Sequence, residues 1–265
     1  MSRIQPDPVS LTTHHLHFRV ATTDTIVSSA TGFAYRYQDQ FFLITNWHNL
    51  TGKNPLTGEM LGKGAIPDTA STLFRRKDNP SNCARETLRL YSDNTLLEPL
   101  WLEHPVHGRA VDVVALPLDA STADRYALFP INDISFDRGF KAEVADDAFI
   151  IGYPFSDPTY LQLPVWKRAS LASEPDVNID QLPKMLVDTA TRAGLSGSPV
   201  VTQRTGVHGL KNGSFSPDTV IGRIRDFIGV YSGRIGDDEL KAQLGIVWKA
   251  HVIDEILRRS VHGSN

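Results

Sequence analysis

Apolar and polar positions alternate in short runs along most of the chain, a pattern typical of half-buried β-strands. The clearest run is TGFAYRYQDQFFLITNWH (31–48), in which aromatic residues alternate with small or polar ones, QDQ forms a polar turn, and FFLIT is a buried strand. Further strand-like runs, each bounded by Gly, Pro, Asn or Asp, lie at 111–118, 148–155, 184–190, 199–203, 226–233 and 244–250. The pattern predicts an all-β sandwich or barrel.

One helix is predicted at the end of the chain, at about 251–260, where HVIDEILRR places Val252, Ile253, Ile256 and Leu257 on one face. Two stretches rich in Gly, Pro and polar residues, 51–82 and 205–217, are predicted to be long loops or insertions. The segment 119–139 is a candidate connection between two halves. The length of 265 residues fits one large domain or two small ones.

Composition and charge narrow the range of partners. The net charge is −3 and the pI is near 6.3, so neither nucleic acid nor an anionic membrane is expected as a partner. The single cysteine, Cys83 in DNPSNCARE, is expected to be inert in an exposed loop, and no Cys/His spacing suggests a metal. The N-terminal residues contain no apolar run of the signal-peptide type, so a cytoplasmic location is expected.

One glycine-rich stretch, TRAGLSGSPV (191–200), places Ser196 between two glycines. A serine becomes a nucleophile when a base takes its proton and an acid orients that base. Of the nine histidines, His48 directly follows the strand FFLIT, which fixes its backbone and leaves its ring free. Asp112 stands at the start of VDVVALPL, either as a surface residue or as an acid held against a partner. The histidines of the N-terminal run are expected to be structural or exposed: His14, His15 and His17.

These motifs resemble those of the trypsin-like serine peptidases. ITNWHNLTG resembles the histidine motif of that family and VDVVALPL its aspartate motif. GLSGSPV resembles the Gly-Asp-Ser-Gly-Gly-Pro motif, with Leu195 in place of the acid and Ser198 in place of the second glycine. IIGYP resembles a strand of bacterial HtrA-like peptidases. The resemblance extends from about residue 32 to 250, and His48, Asp112 and Ser196 follow in the family's chain order.

The resemblance implies two antiparallel six-stranded β-barrels with a C-terminal helix, 1–130 carrying His48 and Asp112 and 131–265 carrying Ser196. It implies a serine endopeptidase that needs no cofactor or metal, with Ser196 as nucleophile, His48 as base, Asp112 as its orienting acid, and the amides of Gly194 and Ser196 as oxyanion hole. A protein or peptide substrate is expected, bound by Ala190, Thr191, Arg192, Val230, Tyr231, Ser232, Gly233 and Val247. Ala190 at the pocket base argues against a preference for Arg or Lys.

Leu195 departs from the family pattern in a way that bears on activation, and two alternatives to a serine endopeptidase stay open. Leu195 cannot form the ion pair with a new N-terminus that activates zymogens, so other contacts, a substrate or an activating partner must hold the loop. No PDZ-like extension is expected after the barrel. The first alternative is a catalytically silent or partner-activated peptide-binding module on the same fold. The second is an α/β-hydrolase using Asp237 or Asp238 with His251, but GLSGS does not fit its nucleophile elbow.

Overall fold

The computed structural model describes residues 5–61, 65–93, 95–136, 141–154, 162–190, 193–217, 219–234 and 243–263. Within these ranges the chain is built mainly of β-strands, with four short α-helices. The helices are α1 (Pro8–Thr12), α2 (Trp47–Thr51), α3 (Ala120–Arg125) and α4 (His251–Arg259). The strands of the first half are β1 (Thr13–Val20), β2 (Thr25–Tyr37), β3 (Gln40–Thr45), β4 (Thr69–Arg75), β5 (Cys83–Arg89), β6 (Leu102–Glu103) and β7 (Val114–Pro117). Those that follow are β8 (Asp147–Gly152), β9 (Val165–Leu171), β10 (Lys184–Asp188), β11 (Pro199–His208), β12 (Val220–Arg234), β13 (Leu244–Lys249) and β14 (Val261–His262).

The strands form two antiparallel sheets. The first has eight strands in the order β14-β6-β7-β3-β2-β1-β4-β5. The second is a closed six-stranded barrel in the order β10-β13-β12-β11-β8-β9, closed by pairing of β9 with β10. The predicted all-β fold class with a C-terminal helix is confirmed, and there are no alternating β/α units of the hydrolase alternative in the described residues.

The first sheet contains eight strands, whereas a six-stranded barrel was predicted. Two of its strands, β4 and β14, lie where the sequence predicted none. β4 lies inside the stretch 51–82 that was predicted to be a loop, because TASTLFR has small polar residues whose burial comes from pairing with β1 and β5. At the other edge, the C-terminal β14 pairs with β6. Cys83, predicted to lie in an exposed loop, is half-buried at the start of β5.

The predicted hairpins and the helix match the structure with shifted ends. β2 and β3 form the 31–48 hairpin. β11 extends as far as His208 into the stretch 205–217, where a longer loop was predicted, and pairs there with β12. The helix α4 buries the four apolar side chains that the pattern assigned to one face: Val252, Ile253, Ile256 and Leu257. They join a core cluster with residues of both sheets, so α4 contributes to the packing of the two halves against each other.

Both ends of the described chain cross to the opposite half. Near the N-terminus, Asp7 forms an ion pair with Arg225 of β12 at 2.6 Å, and Ser10 accepts a hydrogen bond from the Trp166 indole of β9 at 2.8 Å. Near the C-terminus, β14 extends the first sheet. The predicted boundary at residue 130 stays a prediction. In the described part of the chain, no helix has the length and apolar character needed to cross a membrane.

His14 of β1 is a buried histidine, 7% exposed, whose ring meets the Phe74 ring edge-on with centroids 4.7 Å apart. Burial lowers the pKa of His14 to about 4, because the charged imidazolium loses its hydration; a bond to the Leu73 backbone opposes this shift and the charge of Arg75 adds to it. The ring is therefore neutral in the folded protein at neutral pH, where it packs among buried side chains of the first sheet.

This burial predicts acid sensitivity. In the unfolded chain, His14 takes up a proton below its ordinary pKa of about 6.5. In the folded protein, it takes up this proton only near pH 4. Stability present above pH 6.5 is thus lost toward pH 4, by up to about 3 kcal/mol. Urea unfolding of the wild type and of His14→Leu, at pH 7 and near pH 4.5, measures this loss of stability. The free energy of unfolding should fall by about 2 kcal/mol less in the variant than in the wild type on acidification. Equal losses would contradict this, and exposed His262→Leu is the control.

Candidate active site

His48 lies on a one-turn helix that begins just after β3. Asn46 is extended and precedes the helix, and Gly52 ends it with φ +68°, donating its N–H to the His48 carbonyl at 2.9 Å. Glycine adopts this left-handed conformation without the strain that a Cβ would add. The fully buried Trp47 anchors the turn by donating its indole N–H to Glu103 at 2.8 Å. The backbone of His48 is therefore fixed while its ring stays partly open to solvent.

Asp112, just before β7, is 2% exposed and satisfies its carboxylate with donors from both halves. Its Oδ1 accepts from the His48 backbone N–H at 3.0 Å, and its Oδ2 accepts from His48 Nδ1 at 2.6 Å. The Ser232 hydroxyl of β12 donates to the same Oδ2, and Asn46 Nδ2 donates to the Asp112 carbonyl at 2.6 Å. Since a carboxylate accepts hydrogen bonds, the ring donates from Nδ1 and its Nε2 is left to accept a proton.

Ser196 is half-buried in the loop before β11, and its backbone is tied to the first half. Its carbonyl accepts from the Thr31 N–H at 2.9 Å and from Asn49 Nδ2 at 3.4 Å. Asn49 follows His48 in α2, so the serine loop is bonded to the helix that carries the histidine. On the other side, a Cβ on Gly233 would lie 3.8 Å from Ser196 Oγ.

These contacts bring the loop of Ser196 to the same place as His48 and Asp112. Within the described ranges, the Ser196 hydroxyl makes no hydrogen bond to the His48 ring. Nucleophile and base are often loosely aligned in a site without substrate and come together when substrate binds. The structure thus places three predicted residues in one neighbourhood and shows the His48–Asp112 bond directly.

Thr31 of β2 connects the serine loop to both halves and was missed from the sequence. Its Oγ1 donates to the Gly194 carbonyl at 2.8 Å and accepts from the Tyr153 N–H at 3.0 Å. Its carbonyl accepts from Thr45 Oγ1 at 2.8 Å. A threonine in an alternating strand gives no signal of this role, because a polar residue there is as well explained by a solvent-facing position. Asn46 and Asn49 were missed for a similar reason, although their spacing beside His48 was visible.

Two glycines of the serine loop occupy positions that no side chain could fill. Gly194 has φ +92°, and a Cβ there would lie 2.3 Å from the Tyr153 carbonyl oxygen. Gly197 has φ +83°, and a Cβ there would lie 2.1 Å from the Thr31 carbonyl oxygen. Both contacts are with backbone, which cannot swing aside as a flexible side chain can. Close approach of the loop to β2 and β8 therefore requires glycine at both positions.

The amides of the loop divide into two groups. The Gly197 N–H donates to the Tyr231 carbonyl at 2.8 Å, and the Ser198 N–H donates to the Leu195 carbonyl at 3.0 Å. Among the described residues, the N–H groups of Gly194 and Ser196 donate to no acceptor. These are the two amides predicted to form an oxyanion hole, and they are left unused by the fold.

The two departures from the family motif are both fully buried. Leu195 joins the core of the second barrel with residues such as Ile150 and Val200, so an apolar contact anchors the loop where the family has an acid. Ser198 lies against Gly152: a Cβ on that glycine would meet Ser198 Oγ at 2.1 Å. Glycine at 152 thus makes room for the extra side chain of Ser198.

The residues predicted to bind substrate differ in how exposed they are. Ser232 and Gly233 are half-buried on β12, where a bulge interrupts the pairing with β13. Ala190 is exposed just after β10. Val230, Tyr231 and Val247 are buried, with Val247 and Tyr231 in the core of the second barrel. Thr191 and Arg192, like Asp237 and Asp238, lie outside the described residues. No cluster of three or more His, Cys, Asp or Glu in the described part of the chain could hold a metal.

Comparison with known proteins gives only distant likeness. No family model matches the sequence, and no curated protein matches it. Among solved structures, the Rv3671c protease from M. tuberculosis in its active form matches with a TM-score of 0.49 and 15% identity, covering 97% of this chain and 83% of that one. Its inactive form matches with a TM-score of 0.46 and 15% identity, covering 95% and 89%. At this level of sequence identity and structural similarity, the comparison assigns no functional role to any residue of this chain.

The loop geometry predicts that Gly197→Ala is strongly destabilising, because the new methyl would collide with the Thr31 carbonyl. Gly213→Ala is the matched control, since Gly213 has a similar φ of +74° but nothing within 4 Å of its Cβ position. The control should lose about 1 kcal/mol from backbone strain. Gly197→Ala should lose at least about 2 kcal/mol more in denaturant unfolding. Equal losses for the two variants would show that the serine loop is not pressed against β2.

Proposed function

We propose that this chain is a serine endopeptidase of the trypsin-like type, which hydrolyses peptide bonds through an acyl-enzyme. The observation that carries the proposal is the buried Asp112 carboxylate, which fixes the His48 ring through Nδ1 while the loop of Ser196 is bonded to the same helix. The two unused amides beside Ser196 add a place for negative charge. A histidine oriented in this way, beside a serine on a glycine-braced loop, is an arrangement suited to nucleophilic catalysis.

In the proposed acylation step, Ser196 Oγ attacks the carbonyl carbon of the peptide bond while His48 Nε2 takes the hydroxyl proton. The electron pair of the C=O bond moves to oxygen, and the N–H groups of Gly194 and Ser196 donate to that oxyanion. Collapse re-forms the C=O bond and breaks the C–N bond, and His48 gives its proton to the leaving amine. In deacylation, water gives a proton to His48 Nε2 and attacks the ester carbon, the C–O bond to Ser196 breaks, Ser196 Oγ takes the proton back, and the acid product leaves. An oxyanion donor contributes on the order of 3 kcal/mol.

Asp112 acts through His48 in this scheme. Its carboxylate holds the Nδ1–H tautomer, so that Nε2 is the nitrogen able to accept the serine proton. The Ser232 hydroxyl, which also donates to Oδ2, holds the carboxylate from the β12 side. The proton therefore moves between Ser196, His48 and substrate, while Asp112 and Ser232 fix the ring.

The edge of β12 is the proposed place for the substrate backbone. β11 begins at Pro199, which pairs with Val230, so the β11-facing edge of β12 beyond Tyr231 has no strand partner in the described residues. A peptide could add there as a short antiparallel strand, along Ser232 and Gly233 next to Ser196. Side-chain recognition by Ala190, Thr191, Arg192 and Val247 follows from the family resemblance alone, and Val247 is fully buried in the core of the second barrel.

The narrower parts of the assignment rest on the sequence. The HtrA-like subtype follows from the resemblance of IIGYP to a strand of those peptidases, and a cytoplasmic location from the N-terminal composition and the single cysteine. Hydrogen bonds from Thr31 and Asn49, together with buried Leu195, hold the serine loop without the zymogen ion pair. These contacts support an enzyme that is active without cleavage of its own chain. The opposing candidate remains a silent or partner-activated peptide-binding module.

Covalent labelling separates the two candidates. A fluorophosphonate should label the wild-type protein on Ser196, as located by peptide mass spectrometry, and should not label Ser196→Ala or His48→Ala. Ser198→Ala is the matched control, because this neighbouring serine is fully buried and its hydroxyl has no hydrogen-bond partner in the described part of the chain. Folded wild-type protein that resists labelling would support the silent module, and labelling retained in Ser196→Ala would move the nucleophile elsewhere.

Turnover of a peptide substrate tests the roles one by one. Ser196→Ala and His48→Ala should each lower kcat by on the order of 10⁶, because nucleophile and base act as a unit. Asp112→Asn should lower it by roughly 10⁴, because an amide in place of the carboxylate favours the wrong ring tautomer. A variant of Asp112 with near-normal turnover would remove the carboxylate from the mechanism. Circular dichroism and unfolding midpoints verify that each variant is folded.

A further inference from the structure

Two buried carboxylates hold neighbouring residues of α2. Asp112 accepts from the His48 ring at 2.6 Å, and Glu103 of β6 accepts from the Trp47 indole N–H at 2.8 Å. Asp112 is 2% exposed and Glu103 is 4% exposed. A carboxylate loses its hydration on burial, so each acid is retained in the core at a cost that its hydrogen bonds must offset. Asp112 is used in the proposed acylation step, and Glu103 is a second buried acid bound to the same turn.

Glu103 binds two indoles with one oxygen. Its Oε1 also accepts from the Trp101 indole N–H at 3.1 Å, and both tryptophans are fully buried. The C-terminal strand covers this contact: Val261 of β14 pairs with Glu103, and a Cβ on Gly263 would lie 2.8 Å from the same Oε1. Hydrogen bonds to a carboxylate that is shielded from water are stronger than those made in solvent. The bond between Trp47 and Glu103 is therefore a directed restraint on the Trp47 ring.

The bond from Trp47 restrains α2 in a direction that the bond from His48 does not. Successive side chains of a helix point about 100° apart around its axis, so the two rings leave the turn in different directions. α2 is only five residues long, and a helix this short is not held by its own backbone hydrogen bonds. Two ring donors bound to two carboxylates oppose rotation of the turn about its axis, which either bond alone permits.

Rotation of α2 would displace the His48 ring from both of its partners in the proposed mechanism. Asp112 lies just before β7, and the Ser196 carbonyl accepts from the Thr31 N–H of β2 at 2.9 Å, so both partners are fixed to strands outside the turn. A misplacement of about 1 Å between reacting groups lowers turnover on the order of 10²-fold. Rigid support of the turn therefore bears directly on the rate.

We propose that Glu103 is a positioning residue, which acts through the Trp47 indole to hold the turn that carries His48. This role rests on the proposed peptidase function and deepens it. Trp101 donates to the same carboxylate oxygen but is not part of α2, so it offers a comparison of equal chemistry. If the buried cluster were only structural, the two indole N–H groups would be equivalent, whereas a positioning role singles out Trp47.

Steady-state kinetics with a peptide substrate compares Trp47→Phe with Trp101→Phe. Each variant removes one indole N–H from Glu103 Oε1 and leaves a void of similar size in the core. Trp47→Phe should lower kcat about tenfold to hundredfold with KM nearly unchanged, because the buried indole holds the base and not the substrate. Trp101→Phe should lower kcat less than about threefold, since the bond from Trp47 remains. Equal losses of kcat, or a change in KM alone, would overturn the positioning role.

Two further substitutions keep the test decisive. Glu103→Leu should lower kcat at least as much as Trp47→Phe, and the double variant should lose little more than Glu103→Leu, because both changes remove one bond. Losses of kcat that multiply would show that the two residues act independently and would overturn the proposal. Should these variants fail to fold, benzothienylalanine at position 47 replaces the indole N–H by sulfur without leaving a void, and the same change at position 101 is its control. The outcomes that decide are the same.

The proton on His48 Nδ1 reports the position of the ring without any turnover. A proton shared between an imidazole and a carboxylate resonates far downfield in NMR spectra, and His48→Ala identifies it by its loss. In Trp47→Phe, this proton should exchange with water at least about threefold faster than in the wild type, because the turn opens more often. Trp101→Phe should leave the exchange unchanged, and equal exchange in the two variants would overturn the role of Glu103. A wild type without turnover would overturn the peptidase, while this comparison still decides whether Glu103 holds the turn of His48.

Discussion

The buried carboxylate of Asp112 is the constraint around which the two halves meet. An ion removed from water is costly unless hydrogen bonds replace its hydration. Asp112 receives them from the His48 backbone and ring on one side and from the Ser232 hydroxyl on the other. If the two halves separated, the Asp112 carboxylate would lose the hydrogen bond from Ser232 and would have to be solvated by water instead. The same bonds that make the burial tolerable also orient the imidazole, so stability and site geometry are set by one group.

Thr31 provides the second connection and explains how the serine loop is held without an ion pair. Its hydroxyl and backbone bind Gly194, Tyr153 and Ser196, so β2 of the first sheet fixes the loop of the second barrel. Leu195 then buries an apolar side chain in the barrel core. Hydrogen bonds from a rigid strand and apolar burial are present as soon as the chain folds. An ion pair with a new N-terminus would instead require a cleavage event.

The sequence predicted what depends on local pattern and missed what depends on distant contacts. The 31–48 hairpin, the buried face of α4, and the positions of His48 after one strand and of Asp112 before another follow from periodicity and turn residues. β4 was missed because Thr69–Arg75 is buried only through its neighbours β1 and β5. Ser232 was predicted to bind substrate, and its bond to Asp112 arises from residues 120 positions apart, which no local pattern encodes.

Tyr153 connects β1 of the first sheet with the serine loop. Its ring stacks on His15 of β1, with centroids 5.0 Å apart and planes 12° from parallel. Its backbone N–H donates to Thr31 Oγ1, and its carbonyl oxygen occupies the space where Gly194 would carry a Cβ. A single residue therefore has its side chain against β1 and its backbone against the serine loop. Because no side chain fits between Gly194 and that carbonyl, the backbone of Tyr153 sets how closely the loop with the two amides next to Ser196 approaches the end of β8.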